Sequence, residues 1–224
     1  MIPSWTLDRN AFQILALFVS MIITVGIIYV DVLLLKTTMG EHSLVQIAQA
    51  LMILGSAIFF FVGARNHADH RGYLLLVSTL FLCMFIREND GFLDNIVHGF
   101  WLVLVLLVGA VGAFAILKNA KTLRGPLRRH AQDGTFWILA VGFFQLIVFS
   151  RLFGSGLLWN HILSSEALGT AKTIVQESTE LVSYSFIFLG AYLSHKYLFS
   201  KNQNLAAEKA YDEKLTSSLS DQTT

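Results

Sequence analysis

Glu177 and Glu180 are three residues apart in VQESTELVSY, so on an α-helix their carboxylates share a face, which Tyr184 continues one turn further. A second polar group interrupts an apolar sequence at residues 85–101, FIRENDGFLDNIVHGFW, where Arg87, Glu88, Asp90, Asp94 and His98 fall between two hydrophobic runs. Carboxylates and imidazoles together can hold zinc or another divalent metal ion, leave a position for water, and supply a further carboxylate as general base. On that chemistry His42, His98, Glu88, Asp94 and Glu177 are the candidate metal ligands and Glu180 the candidate catalytic base. The same region suits ligand binding without catalysis. Glu41, Gln46, Arg87, Glu88, Asp90, Arg151, Glu177 and Glu180 would then line an acidic recess that attracts a cation or small ligand. No H-E-x-x-H or H-x-x-x-H pattern lies on an apolar run, so no motif selects the metal reading.

The elements that must position these groups follow from composition. Of 224 residues, 54% are hydrophobic and 14% charged, with a mean hydropathy of +0.60. These values lie on the apolar side of soluble domains and predict an integral membrane protein in contact with the lipid bilayer. Two prolines and one cysteine exclude a disulfide framework, and Cys83, inside an apolar run, reads as an inert packed thiol. A net charge of +1, with bases segregated by loop, gives no signal for nucleic acid. The first apolar run follows Trp5, Asp8 and Arg9 and is too long for a signal-peptide core, so no cleavable leader is expected.

A helix needs about 20 mostly apolar residues to cross the hydrocarbon core. Six runs satisfy this, at approximately 11–36, 43–65, 73–92, 96–117, 135–153 and 171–197. The alternating polarity of a strand barrel is absent, so the expected fold is an all-α bundle of six transmembrane helices. It would occupy residues 1–199, with a polar cytoplasmic tail at 200–224. With the N-terminus inside, Arg9, Arg65, Arg71, Lys118, Lys121, Arg124, Arg128, Arg129, Lys196, Lys201, Lys209 and Lys214 share the cytoplasmic side. Only Lys36, Arg87, Arg151 and Lys172 face the other, which by the positive-inside rule places both termini in the cytoplasm. The basic stretch KNAKTLRGPLRRH reads as a loop that fixes this topology or meets anionic head groups.

The same assignment places Asp31, Glu41, Glu88, Asp90, Asp94, Glu166, Glu177 and Glu180 on the outer side, with His42, His98 and His161. From Ala171, Glu177 lies about 9 Å and Glu180 about 14 Å along the helix, the deepest acids in the chain. Gln46 and Gln49 lie below the outer end of the second span, and Gln145 lies in the fifth. Charged groups within a membrane usually face the bundle interior, which predicts a polar recess open to the outer side, with Gly91 allowing the chain to turn. Arg87 and Arg151 could equally pair with Glu177, Glu180 or Asp90 to hold helices in register. Asp94 and His98 could be the first turn of the fourth span, and His161 an interfacial loop residue. His67 and His70 lack the partners of a metal site. Gly109 and Gly112 permit close helix approach, which leaves open a third role as an accessory subunit with a membrane-protein partner.

The segments EHSLVQIAQALMIL, FIRENDGFLD and VQESTELVSYSFIFLGAYL resemble the acid-marked helices of uncharacterised bacterial multi-span inner-membrane proteins. That group has an acid-led second span, a Glu at the end of the next, and a Glu-x-x-Glu-Leu helix near the C-terminus. Here Gln176 stands where an acid pair is common, and RENDG replaces a double Glu. The resemblance covers residues 41–195 and implies a multi-pass protein of the bacterial inner membrane with a periplasm-facing recess; it supplies no substrate. The chain departs from seven-span hydrolases of the ceramidase type in span count and in lacking paired histidines in its last helix.

Overall fold

A computed structural model describes residues 4–37, 39, 43–159 and 165–199, and every element among them is helical. The first is α1 (Ser4–Tyr29), which continues through a π-helical turn at Val30–Leu34. Then come α2 (Leu44–Asn66), a tight turn at Ala68–His70, α3 (Arg71–Glu88) and the short α4 (Asp90–Asp94). They are followed by α5 (Phe100–Lys118), α6 (Arg124–Ala131), α7 (Gly134–Phe153), α8 (Gly156–Trp159) and α9 (Ser165–Ser194), which ends in a π-helical turn at His195–Phe199.

Among the described residues five segments are long and apolar enough to cross a membrane: Asn10–Leu34, Leu44–Asn66, Ala68–Glu88, Phe100–Lys118 and Gly134–Phe153. The sixth expected span coincides with α9, which exceeds the needed length but carries Lys172, Glu177 and Glu180. Its position in the bundle explains that composition. Helix α9 packs against α7, α2 and α1, and buries Leu181, Tyr184, Ile187, Ala191 and Leu193. A helix surrounded by protein can carry polar groups that a lipid-facing helix cannot. Its buried Ser183 and Ser185 turn back to carbonyls of the same helix, Thr179 and Val182, at 2.7 Å each, so neither hydroxyl is left open. By contrast α5 buries none of its residues and exposes Val103, Leu106, Val111 and Phe114; α1 exposes Leu15, Phe18 and Ile22. Apolar surface on this scale matches a lipid boundary rather than water.

The core lies where α2, α3 and α9 meet, around Ile53, Phe60, Leu74, Phe81, Tyr184 and Ile187. Helix α7 joins it through two reciprocal close approaches, Gly142 against the Ser183–Ile187 backbone and Gly190 against Leu139. A side chain at either glycine would meet backbone that cannot rotate away. Gly190→Leu is therefore expected to separate α7 from α9 and lower stability by about 2 kcal/mol or more, read as a fall in the melting temperature of the purified protein. Gly112 seats α5 on Thr79 of α3, whereas a side chain at Gly109 would meet open space. Of that small-residue pair, Gly112 serves packing within this chain.

Three sequence expectations need correction here. The third span stops at Glu88, because Asn89 caps it, its Nδ2 donating to the Phe85 carbonyl at 2.8 Å. Gly91 does not make the turn: it lies inside α4, and the left-handed residue is Gly99, φ +80°, immediately before α5. Asp94 and His98 accordingly lie in the connection rather than in the first turn of the fourth span, with Asp94 Oδ1 accepting from the Gly99 amide at 2.9 Å. Within the basic loop, α6 is an ordered helix.

That helix carries a buried network. Tyr73 on α3 donates its hydroxyl to His130 Nδ1 at 2.6 Å, which leaves His130 Nε2 to donate to Ser194 Oγ of α9 at 2.8 Å. Ser194 in turn donates its one proton to the Gly190 carbonyl at 2.7 Å, with Thr135 Oγ1 of α7 at 3.0 Å as the alternative acceptor, and Thr135 donates to Asp133 Oδ1 at 2.8 Å. Four helices are thereby tied at one end of the bundle. Burial pushes the His130 imidazole down to about 4, against an opposing pull from Asp133, so it is neutral at physiological pH, as this donor order requires.

Candidate functional site

Helices α3 and α5 form one packed pair and α7 and α9 another; α2 packs against both α3 and α9. Between the pairs lies a cavity of about 560 Å³, in the range of small-molecule sites. Of the eight residues expected to bind ligand, Gln46, Arg87, Glu88, Asp90, Arg151, Glu177 and Glu180 line it, and Glu41 lies outside the described residues. The wall is completed by polar Ser150, Gln176 and Tyr184 and by apolar side chains that include Leu80, Met84, Trp101, Val105, Phe143 and Ile147.

Each deep carboxylate is held across a helix boundary. Tyr184 of α9 donates its hydroxyl to Glu88 Oε2 of α3 at 2.6 Å. Glu177 Oε2 accepts from Gln49 Nε2 of α2 at 3.2 Å, and the same amide donates to the Glu177 carbonyl at 3.0 Å. Glu180 Oε1 accepts from Ser150 Oγ of α7 at 2.5 Å and from Gln176 Nε2 at 3.1 Å. A carboxylate offers about four acceptor positions, so these bonds orient each group and leave capacity facing the cavity. The interhelical bonds to Glu88 and Glu180 come from Tyr184 and Ser150, residues whose contribution a search for charges overlooks. The side-chain periodicity that put Tyr184 on the Glu180 face was the available signal.

The cations are arranged differently. Arg87 Nη1 pairs with Asp90 Oδ2 at 2.6 Å, three residues away, and its guanidinium lies 5.9 Å from the Trp101 ring centre. This pair is local, so Arg87 does not bridge helices to Glu177 or Glu180. Arg151 lines the cavity, and among the described residues it makes no ion pair with a carboxylate. With Arg87 and Asp90 offsetting each other, Glu88, Glu177 and Glu180 face one remaining arginine, and the lining is acidic when the three are ionised.

The expected metal set is not brought together. His98 is 99% exposed, pairs with Asp94 at 3.5 Å, and neither lines the cavity that holds Glu88 and Glu177. His42 lies outside the described residues, as does His161. Among the described residues no three His, Cys, Asp or Glu side chains converge to hold a metal ion. The sequence spacing placed Asp94 and His98 on one helical turn, but the chain leaves that helix at Asn95 and carries His98 into solvent.

Cys83, expected as a packed thiol, also borders the cavity. It is half-buried on the cavity wall, its Sγ 3.9 Å from the Val105 carbonyl of α5. The Ser194–His130 pair has the spacing of a nucleophile and base, yet both side chains, and Thr135 beside them, are 0% exposed. No substrate can approach that hydroxyl, and the arrangement joins helices. No family model matches the chain, and no curated protein and no solved structure matches it.

Proposed function

We propose that the protein is a six-span, multi-pass protein of the bacterial inner membrane that binds a small cationic ligand in this cavity, with α9 as the sixth crossing and both termini in the cytoplasm. The orientation is supported by the position of α6, whose Arg124, Arg128 and Arg129 lie at the end of the bundle opposite Gln46, Glu88 and Glu177. The cavity then faces the periplasm. Residues 200–224 would follow α9 as a cytoplasmic tail.

The observation that carries the binding reading is the convergence of Glu88, Glu177 and Glu180 from two helices on one cavity, each oriented by a hydrogen bond from a different helix. Pre-oriented acceptors in a partly desolvated cleft attract a cation more strongly than the same groups in water. A metal-dependent hydrolase, with Glu180 as base, has less support because, of its two expected imidazoles, His98 is exposed away from the cavity and His42 lies outside the described residues. An accessory role with a protein partner has no specific feature in its favour.

The test is thermal unfolding in lipid nanodiscs with ethylammonium, spermidine, calcium and zinc titrated separately. At least one is expected to raise the melting temperature saturably, as binding to the folded state requires. The double variant Glu177→Gln, Glu180→Gln is expected to weaken that ligand tenfold or more. A wild-type protein unmoved by every cation would remove the basis of the reading.

A further inference from the structure

Among the described residues the cavity has a side that protein does not close. Helix α5 packs on α3 and touches α4, while α7 packs on α9, and α5 and α7 make no extensive contact with each other. Both nevertheless contribute to the same cavity, Trp101 and Val105 from α5 and Phe143, Ile147 and Arg151 from α7. The opening between them therefore lies where the bundle meets lipid. Val103, Leu106 and Leu107 of α5 and Phe144 and Val148 of α7 are exposed on these two helices, consistent with hydrocarbon on either side of the gap.

Resting on the binding reading above, we infer that the ligand is a single-chain amphiphile with an ammonium head, which enters from the outer leaflet between α5 and α7. The head would sit among Glu88, Glu177 and Glu180, and the chain would lie along Leu80, Val105 and Ile147 and leave through the gap. Charge selects the head: the carboxylates outnumber the arginine left unpaired by Asp90. The apolar wall selects the chain, since a small hydrated cation gains nothing from Leu80, Met84 or Phe143. A cavity of about 560 Å³ has the volume of a small-molecule site and holds one chain beside the head better than two.

The inference is tested with Cys83, which lines the cavity, as the reporter. In nanodiscs the rate of Cys83 modification by a cationic methanethiosulfonate is measured while n-alkylammonium ions from ethyl to decyl are titrated, with n-alkyl sulfates of equal length as controls. The expected result is protection whose half-effective free concentration falls by about fourfold per added methylene, the factor for burying a CH₂ group, and little protection by the sulfates. Val105→Phe with Ile147→Phe, which narrows the gap, is expected to flatten that dependence. Should the pair fail to fold, the wild-type series decides alone. Ethylammonium protecting as well as decylammonium would overturn the amphiphile and leave cation binding standing. Protection by no ammonium ion would overturn both, and equal protection by sulfates would overturn the ammonium head.

Discussion

Replacing His130 with alanine is expected to destabilise the protein by about 3–4 kcal/mol, since two buried hydrogen bonds are lost and the Tyr73 and Ser194 hydroxyls lose their imidazole partner in a dry site. The effect is large because His130 touches α3, α7 and α9 from the loop helix. Ser194→Ala, which removes one partner and keeps the imidazole, is expected to cost about 1 kcal/mol. The same residue makes a pH prediction. The folded-state value of His130 is depressed from 6.5 to about 4, so its contribution is complete above about pH 6.5 and is lost as pH falls toward 4, because the unfolded chain takes up the proton first. The full loss amounts to roughly 3 kcal/mol. Melting temperatures across this range, compared between wild type and His130→Ala, check both: the wild type should fall more steeply, and the two curves should converge at the acid end.

Asp31→Ala is the second large effect. Asp31 is fully buried at the end of the first helix, and its two oxygens accept from Thr37 Oγ1 at 2.7 Å, from the Leu44 amide at 3.3 Å and from the Val45 amide at 3.1 Å. Ser43 Oγ takes the Gln46 amide at 3.2 Å, so these two side chains together satisfy three of the unpaired amides that open α2. A carboxylate there also meets the positive end of the helix. Removing it leaves two amides and a hydroxyl unpaired beside the Met39–Val45–Leu181 cluster, with an expected loss of about 3 kcal/mol. Asp31→Asn keeps one acceptor oxygen and is expected to lose about half of that. Chemical denaturation in detergent, with the midpoint compared at unchanged slope, gives the measurement.

How much of this was legible in the sequence differs by element. Apolar runs marked every long helix, because lipid-facing helices are hydrophobic over most of their surface and length alone separates them from loops. Glu88, Glu177 and Glu180 were legible as cavity residues for a related reason: charge at membrane depth has few places to go. What failed depended on contacts between distant segments. His130 was hidden because α6 lies in a strongly basic loop and its partners, Tyr73 and Ser194, are far away in sequence. Asp31 appeared as one more outer-side acid, and only the return of the chain at Ser43 makes it a helix cap. Cys83 was read from its apolar neighbours, and its place on the cavity wall depends on the packing of α3 against α5. Asp94 and His98 failed in the opposite direction: their four-residue spacing promised a shared helical face, and the end of α4 at Asn95 separates them.

An acidic cavity open to the outer side would govern the rate at which Cys83 reacts with membrane-impermeant methanethiosulfonates of opposite charge. Oriented proteoliposomes allow addition from one side at a time. Modification is expected from the outer side alone, with the cationic reagent favoured over the anionic one by tenfold or more after correction for their rates with a free thiol, and with that preference much reduced in Glu177→Gln, Glu180→Gln. Equal rates for the two charges, or a thiol reached only from the side of Arg128 and Arg129, would rule such a cavity out.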